Sequence, residues 1–315
     1  MSKVSVAILT YNRKEYLREC LQSVLNQTFK DFLIYIFDNA SNYDIEGFLK
    51  EFNDRRIILL RNQKNLGEQK NYERVFNYKF PSEYLMMFHD DDSMHPLLIE
   101  KEVNLLDNYP NMALVGSGLR FVKNHKKISS FSKIKKKDNF FICNKPAELV
   151  RLILRDFDLC YDSVMYRANF LNIIAEKTNS FYYNRFFKWS DRPYLIELNK
   201  KGEAGIIKEK LVNYRIHQSQ DSQAEAQDKA DYLFNLFLFY KENLLQPLSK
   251  EDKKLFYSFS TNNLILSAFS FSKNWQEYKK FLKEAKEKDV FDLRYLNPRG
   301  VYYFLKGIKR LYFRK

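Results

Sequence analysis

Glycine and proline are scarce in this chain, at 8 and 7 of 315 residues, which excludes collagen-like repeats, serial tight turns and long flexible linkers. Cysteine is scarcer: Cys20, Cys143 and Cys160 lie far apart in mostly apolar surroundings. That spacing makes neither a disulfide framework nor a zinc site, and fits small core residues in a reducing compartment. The longest apolar stretches, such as 233–240 and 264–271, are far too short to span a bilayer. Met1-Ser2-Lys3-Val4 runs straight into an expected strand without a leader pattern, so the chain reads as cytoplasmic. No internal repeat is present. What is abundant is aromatic, 28 Phe and 22 Tyr, and 45% of residues are hydrophobic, enough for one large or two ordinary folded domains.

Acid is also in deficit: 39 Asp and Glu against 53 Lys and Arg leave a net charge of +14. Such a surplus favours anionic partners, and it is unevenly spread. Residues 123–137 (KNHKKISSFSKIKKK) carry seven lysines and no acid, as a solvated loop would. Residues 299–315 (RGVYYFLKGIKRLYFRK) carry six basic residues and no acid, interleaved with aromatics at helical spacing. This is the pattern of an interfacial membrane helix, and equally of a terminal helix packed on a core. Charge and aromatics together raise a nucleic-acid-binding reading, but no helix-turn-helix, zinc-finger or aromatic RNA-reading signature accompanies them.

Residues 4–9 (VSVAIL), 32–37, 57–60, 84–88 and 112–115 read as buried strands, alternating with amphipathic helices at 14–26, 43–52, 68–78 and 96–106. Pro96 suits the first turn of its helix. This alternation predicts an α/β fold, a mostly parallel sheet with helices on both faces, with ligands bound beyond the carboxyl ends of the strands. Further on, helices are expected at 146–155, 168–174 and up to residue 200, strands at 159–166, 204–207 and 211–216, and an aromatic loop at 181–187. The polar stretch 218–226 (QSQDSQAEA) resembles a linker. Beyond it, 230–245, 250–271, 274–288 and 300–313 are helical in pattern. We place a boundary at 222, giving a catalytic region of 1–222 and an all-helical region of 223–315.

Asp90, Asp91 and Asp92 follow the apolar run 84–88 and His89. Adjacent carboxylates repel one another unless a cation or ligand compensates, so an acidic cluster at a central strand end is a candidate metal site. Acidic runs are also common as solvated loops. Two further expected strand ends, 10–13 and 38–41, are polar and face the same rim. Asp38-Asn39 alone reads equally as an Asx-turn or helix cap.

Residues 4–13 (VSVAILTYNR), 38–42 (DNASN), 65–67 (NLG), 89–96 (HDDDSMHP), Trp189-Ser190-Asp191 and 214–219 (YRIHQS) occur in the order seen in family-2 glycosyltransferases of the GT-A fold. The resemblance covers residues 1 to about 220. It implies an inverting enzyme that moves a sugar from a UDP-sugar to a hydroxyl of a saccharide or lipid-linked oligosaccharide. It further implies Mn2+ or Mg2+ held by Asp90 and Asp92, with His217 completing the site. Counting back from Pro96 instead makes Asp91 and Asp92 the key pair and puts His89 where the family often has an acid. Asp38 falls where the family holds the base of the donor, with Thr10, Tyr11, Arg13, Asn65, Gly67, Asp90, Asp91 and Arg215 as the other donor contacts. Uracil and thymine offer the same N–H, so Asp38 does not separate UDP from dTDP. Asp191 is the expected catalytic base, although the family usually has Glu-Asp where this chain has Ser190-Asp191. That departure leaves an inactive scaffold as an alternative, and a nucleotidyltransferase would need a glycine-rich phosphate loop that Gly67 alone does not make. The expected partners are a nucleotide sugar, a saccharide acceptor, a membrane surface contacted through 299–315 and a second copy of the chain through the carboxy-terminal helices, but no nucleic acid.

Overall fold

The structure, a computed structural model, describes residues 2–123, 139–169, 191–217 and 229–312. Most of the lysine-rich run, the aromatic loop 181–187, Trp189-Ser190, the linker 218–226 and most of the helix expected at 168–174 lie outside the described residues. Two compact units are present, and among described residues the second comprises 146–157, 191–196 and 229–312.

The first unit is built on a nine-stranded mixed sheet of order β3-β2-β1-β4-β8-β6-β9-β5, with β7 pairing β9. Strands β1 (Val4–Thr10), β2 (Phe32–Asp38), β3 (Ile57–Arg61) and β4 (Tyr84–His89) form its parallel half. Every residue of β1 is buried, as both faces are covered. Helices α1 (Lys14–Leu25), α2 (Ile45–Lys50) and α3 (Glu68–Asn77) connect these strands, and α4 (Leu98–Asn108) follows them. Leu17, Cys20, Leu21 and Val24 of α1 join Val4, Val6 and Ile8 of β1 in one core. Each such side chain contributes about 1.5–3 kcal/mol by leaving water.

Beyond β4 the sheet departs from the expected pattern. A two-residue strand β5 (Ser93–Met94) and β7 (Phe140–Cys143) both run antiparallel to β9 (Glu203–Ile216), and β8 (Val164–Arg167) is antiparallel between β4 and β6 (Met112–Lys123). Only a short helical turn, Tyr161–Ser163, precedes β8 where a longer strand was expected. The two strands expected at 204–207 and 211–216 are one. Lys208 and Glu209 form a bulge against β6, where Ser117 pairs Ile207 but Gly118 already pairs Lys210. A Cβ at Gly118 would stand 3.3 Å from the Glu209 carbonyl, so the bulge fits because that residue has no side chain.

In the second unit α5 (Pro146–Ile153) accompanies α7 (Lys229–Glu242), α8 (Lys250–Phe271), α9 (Trp275–Glu287) and α10 (Pro298–Tyr312). Ser249 and Asn274 cap α8 and α9 by accepting the Asp252 and Glu277 amides. Helix α6 (Asp191–Asn199) begins in this unit. No helix among the described residues is long and apolar enough to cross a membrane.

Candidate functional site

Register brings the polar strand ends together. Thr10 is opposite Asp38 on β2, and its neighbour Leu9 is opposite His89 on β4. With β2 on one side of β1 and β4 on the other, this rim is the point where strand order reverses. Two residues here adopt positive φ without being glycine, Asn12 at 55° and Ala40 at 66°. The Asn12 amide donates to Ser41 Oγ at 2.9 Å, and Asn12 Oδ1 accepts the Asn42 amide at 2.7 Å. These bonds hold the two loops in a conformation that costs energy, a feature concentrated at functional sites.

The acidic turn Asp90–Asp92 is buried, not solvated. Asp90 accepts from Thr10 Oγ1 at 2.7 Å, and Arg13 reaches both Asp90 (3.3 Å) and Asp91 (3.1 Å). His217 Nε2 lies 2.8 Å from Asp91 Oδ2, so the histidine is brought to Asp91 rather than to either flanking carboxylate. Pairing of β5 with β9 causes this: Ser93 sits opposite Asn213, and the chain beyond Asn213 passes back over the turn. The Arg215 amide donates to Asp92 Oδ1 and its Nε to the Asp91 carbonyl, both at 2.8 Å. The remaining guanidinium is paired with Glu19 and lies over the Tyr16 ring, 4.7 Å from its centre.

Electrostatics separate the three carboxylates. Burial pushes Asp90 up to about 7, with the charge of Asp91 adding to it and Arg13 and Thr10 opposing. Asp91 is held below the usual range, because His217, His89 and Arg13 outweigh its burial. Burial and the negative charges of Asp162 and Asp91 drive Asp92 well up. Asp92 Oδ2 is buried with no hydrogen-bond partner among the described residues. His89 is only half-buried; desolvation favours its neutral form, yet Asp162 at 2.9 Å and the turn's carboxylates push it up to about 10.

Around Asp38 the geometry is of another kind. Its carboxylate accepts the Ser41 amide at 3.0 Å and pairs with Arg61 at 3.2 Å, so it closes its own turn while lying in the rim. Asn39 accepts from Asn62 and from the Leu66 amide, both at 2.9 Å, and donates to Asn65 at 2.8 Å. Asn71 donates to the Phe37 carbonyl at 3.3 Å. The loop carrying Asn65 and Gly67 is thereby fixed to the end of β2, and Gly67 at φ 83° opens α3.

The sequence profile of glycosyl transferase family 2 matches residues 5–173. The chain belongs to that family. An uncharacterized glycosyltransferase of Methanocaldococcus jannaschii is 28% identical over 218 residues, spanning 68% of this chain and 70% of the relative. Another, from Haemophilus influenzae, is 26% identical over 227 residues, spanning 70% and 67%. Among solved structures, S. aureus TarS 1-349 in complex with UDP superposes with a TM-score of 0.62 at 13% identity, over 98% of this chain and 88% of that one. The mannosyltransferase PcManGT from Pyrobaculum calidifontis, in complex with GDP-Man and Mn2+, gives 0.53 at 11% identity, over 100% and 88%. The GT-A glycosyltransferase fold is thus shown.

Of this glycosyltransferase's expected site residues, Thr10, Arg13, Asp90, Asp91, Asp92, Arg215 and His217 form one bonded group, with Asp38, Asn65 and Gly67 along the adjoining rim. Tyr11 extends into solvent. Asp191 opens α6 in the second unit, its carboxylate accepting the Arg192 amide at 2.8 Å. The donor set fits a hard divalent cation: buried carboxylate oxygens, one of them without a partner, and an imidazole beside the central one. Ligand atoms of His89, Asp92 and Asp162 also lie within 4.8 Å of one another, but both His89 ring nitrogens already have partners, Asp162 and the Tyr72 hydroxyl. Sequence reasoning missed Glu19, Tyr72 and Asp162. Glu19 and Tyr72 lie on helices and Asp162 in a short turn, each without a motif, and each reaches the site through the fold alone.

Proposed function

We propose that the enzyme is an inverting, divalent-metal-dependent transferase that moves a sugar from a UDP-sugar to a hydroxyl of a saccharide or lipid-linked saccharide. The observation that carries this reading is the Asp91 carboxylate, held ionised between Arg13 and His217 beside the unpartnered Asp92 oxygen. Asp91 and His217, with one flanking carboxylate, would hold Mn2+ or Mg2+; when bound, the ion neutralises charge on the departing diphosphate. Arg13, bonded to Asp90 and Asp91, supplies a second positive charge to that diphosphate.

Arg215 supports the site from beneath by orienting the acidic turn. Asp38, Thr10 and Tyr11 are the base-side contacts, with Asn65 and Gly67 presenting backbone groups to the donor. Asp191 accepts the proton of the acceptor hydroxyl. The UDP of the TarS complex and the Mn2+ of the mannosyltransferase complex support this donor chemistry by likeness of fold. Residues 1–222 carry this machinery, 146–157 and 191–196 among them clustering with the helices of 229–312.

The test is thermal stabilisation by UDP, dTDP, GDP and CDP, each with and without Mn2+. A Mn2+-dependent rise with UDP is expected. A rise with GDP alone would replace the donor class, and no rise with any nucleotide would leave the inactive-scaffold reading in place.

A further inference from the structure

Helix α10 has two faces of opposite character. Its inner face is occupied: Tyr303 packs on Phe269 of α8 at 5.7 Å between ring centres, and Phe304 on Tyr278 of α9 at 6.4 Å. Gly307 lies flat against Tyr278, and a Cβ there would come within 3.0 Å of the ring. Among the described residues the outer face is left exposed. Val301, Tyr302 and Leu305 are 42%, 57% and 57% exposed, large apolar groups on successive turns. Arg299, Lys306 and Lys309 are exposed along the flank of that strip. Lys306 is exposed, and its Nζ lies among three rings, 5.4 Å from the centre of Phe269, 5.6 Å from Tyr302 and 5.9 Å from Tyr303.

The helix contains no acid. Of the three acids on α9, Glu284 pairs with Lys288 and Glu287 with Lys283, each at 3.7 Å, while Glu277 accepts the Lys273 amide at 2.8 Å at the start of the helix. Asp292, just before α10, is paired with Arg294 at 2.6 Å. The outer face is therefore positive as well as apolar.

We propose that the outer face of α10 binds the surface of an anionic phospholipid bilayer. Val301, Leu305 and the Tyr302 ring enter the headgroup boundary while Arg299, Lys306 and Lys309 meet lipid phosphates. This occupant satisfies both halves of the face. Duplex nucleic acid would use the cations and leave aliphatic side chains against phosphate. A second copy meeting the same face by two-fold symmetry would set like charges against one another. The proposal is independent of the donor and metal reading.

The experiment is co-sedimentation of the full chain with vesicles of equimolar phosphatidylglycerol and phosphatidylcholine, against pure phosphatidylcholine, at about 0.1 M salt. Binding to the mixed vesicles alone is expected. The triple variant Arg299→Gln/Lys306→Gln/Lys309→Gln should weaken partitioning about 100-fold. Leu305→Asp, at an exposed position, should weaken it about tenfold with circular dichroism and Tm unchanged. Parental binding by either folded variant, equal binding to pure phosphatidylcholine, or no vesicle binding would overturn the proposal. So would preferential binding of duplex DNA, or a self-association that the same variants abolish.

Discussion

The molecule buries carboxylates in three ways. Asp252 in the second unit is fully answered: Arg151 grips it with a fork at 2.8 and 2.9 Å, and Ser249 shares its cap. Glu102 on α4 is the reverse, completely buried with neither oxygen bonded among the described residues, and burial alone drives it well up. The turn Asp90–Asp92 lies between these extremes, with four of its six carboxylate oxygens bonded and Asp92 Oδ2 buried without a partner among the described residues. A satisfied carboxylate is structure, and an isolated one is held as neutral acid. A cluster kept partly charged around an unpartnered oxygen has capacity for a further positive group.

Substitutions sharpen that contrast. The largest effect is expected from Asp91→Asn, which removes the charge that Arg13 and His217 maintain. Transfer should fall about 10²–10³-fold and the metal-dependent thermal shift should vanish, while Tm stays within about 3 °C. A collapse of Tm together with activity would make the cluster structural, like Asp252.

Arg151→Ala comes next. It leaves Asp252 buried without its partner and should cost about 2 kcal/mol by urea unfolding, less than a fully buried pair because Arg151 is partly exposed. The pH dependence has a definite sign. The Arg151 hydrogen bonds hold Asp252 below its ordinary 3.8. Its contribution is therefore complete above that value and lost as pH falls through the lower folded one. The variant should lose that acid-side decline, and an unchanged slope would break the assignment.

Glu102→Gln should give the smallest change, and in the opposite direction. A folded-state value raised above the ordinary 4.5 means full stability below that pH and a growing penalty as pH rises above it. The amide should therefore stabilise by about 1 kcal/mol near pH 8 and by little near pH 4. A loss at both pH values would point to a hydrogen-bonding role.

The parallel half of the sheet was legible because each of its elements carries a local signal. Buried strands such as 4–9 are continuous apolar runs, and α8 was read from its pattern as 250–271, the span observed. The mixed half was legible only in part: stretches of β6, β8 and β9 were read as strands, but their pairing was not. Ser93-Met94 is too short for any periodicity, and the bulge at Lys208-Glu209 looks like a polar turn until β6 is seen beside it. The site divides likewise. The acidic turn and the Tyr-Arg-Ile-His run announce themselves, whereas His217 against Asp91 is a contact across 126 residues. Its cause, the pairing of Ser93 with Asn213, has no local sign. Asp162, across 73 residues from His89, is invisible for the same reason.

Strand β9 therefore sets a timetable. Arg215 meets Glu19 across 196 residues of chain and Asp92 across 123, so the acidic turn is synthesised long before its cap. At about 5–20 residues per second the interval is on the order of ten seconds, during which the first four strands can pair while Asp91 lacks its histidine. A fragment cut at the end of the family profile, residue 173, would hold the nascent chain in that stage permanently. It would carry the acidic motif and the parallel strands, and would lack the strand that turns the motif into a site.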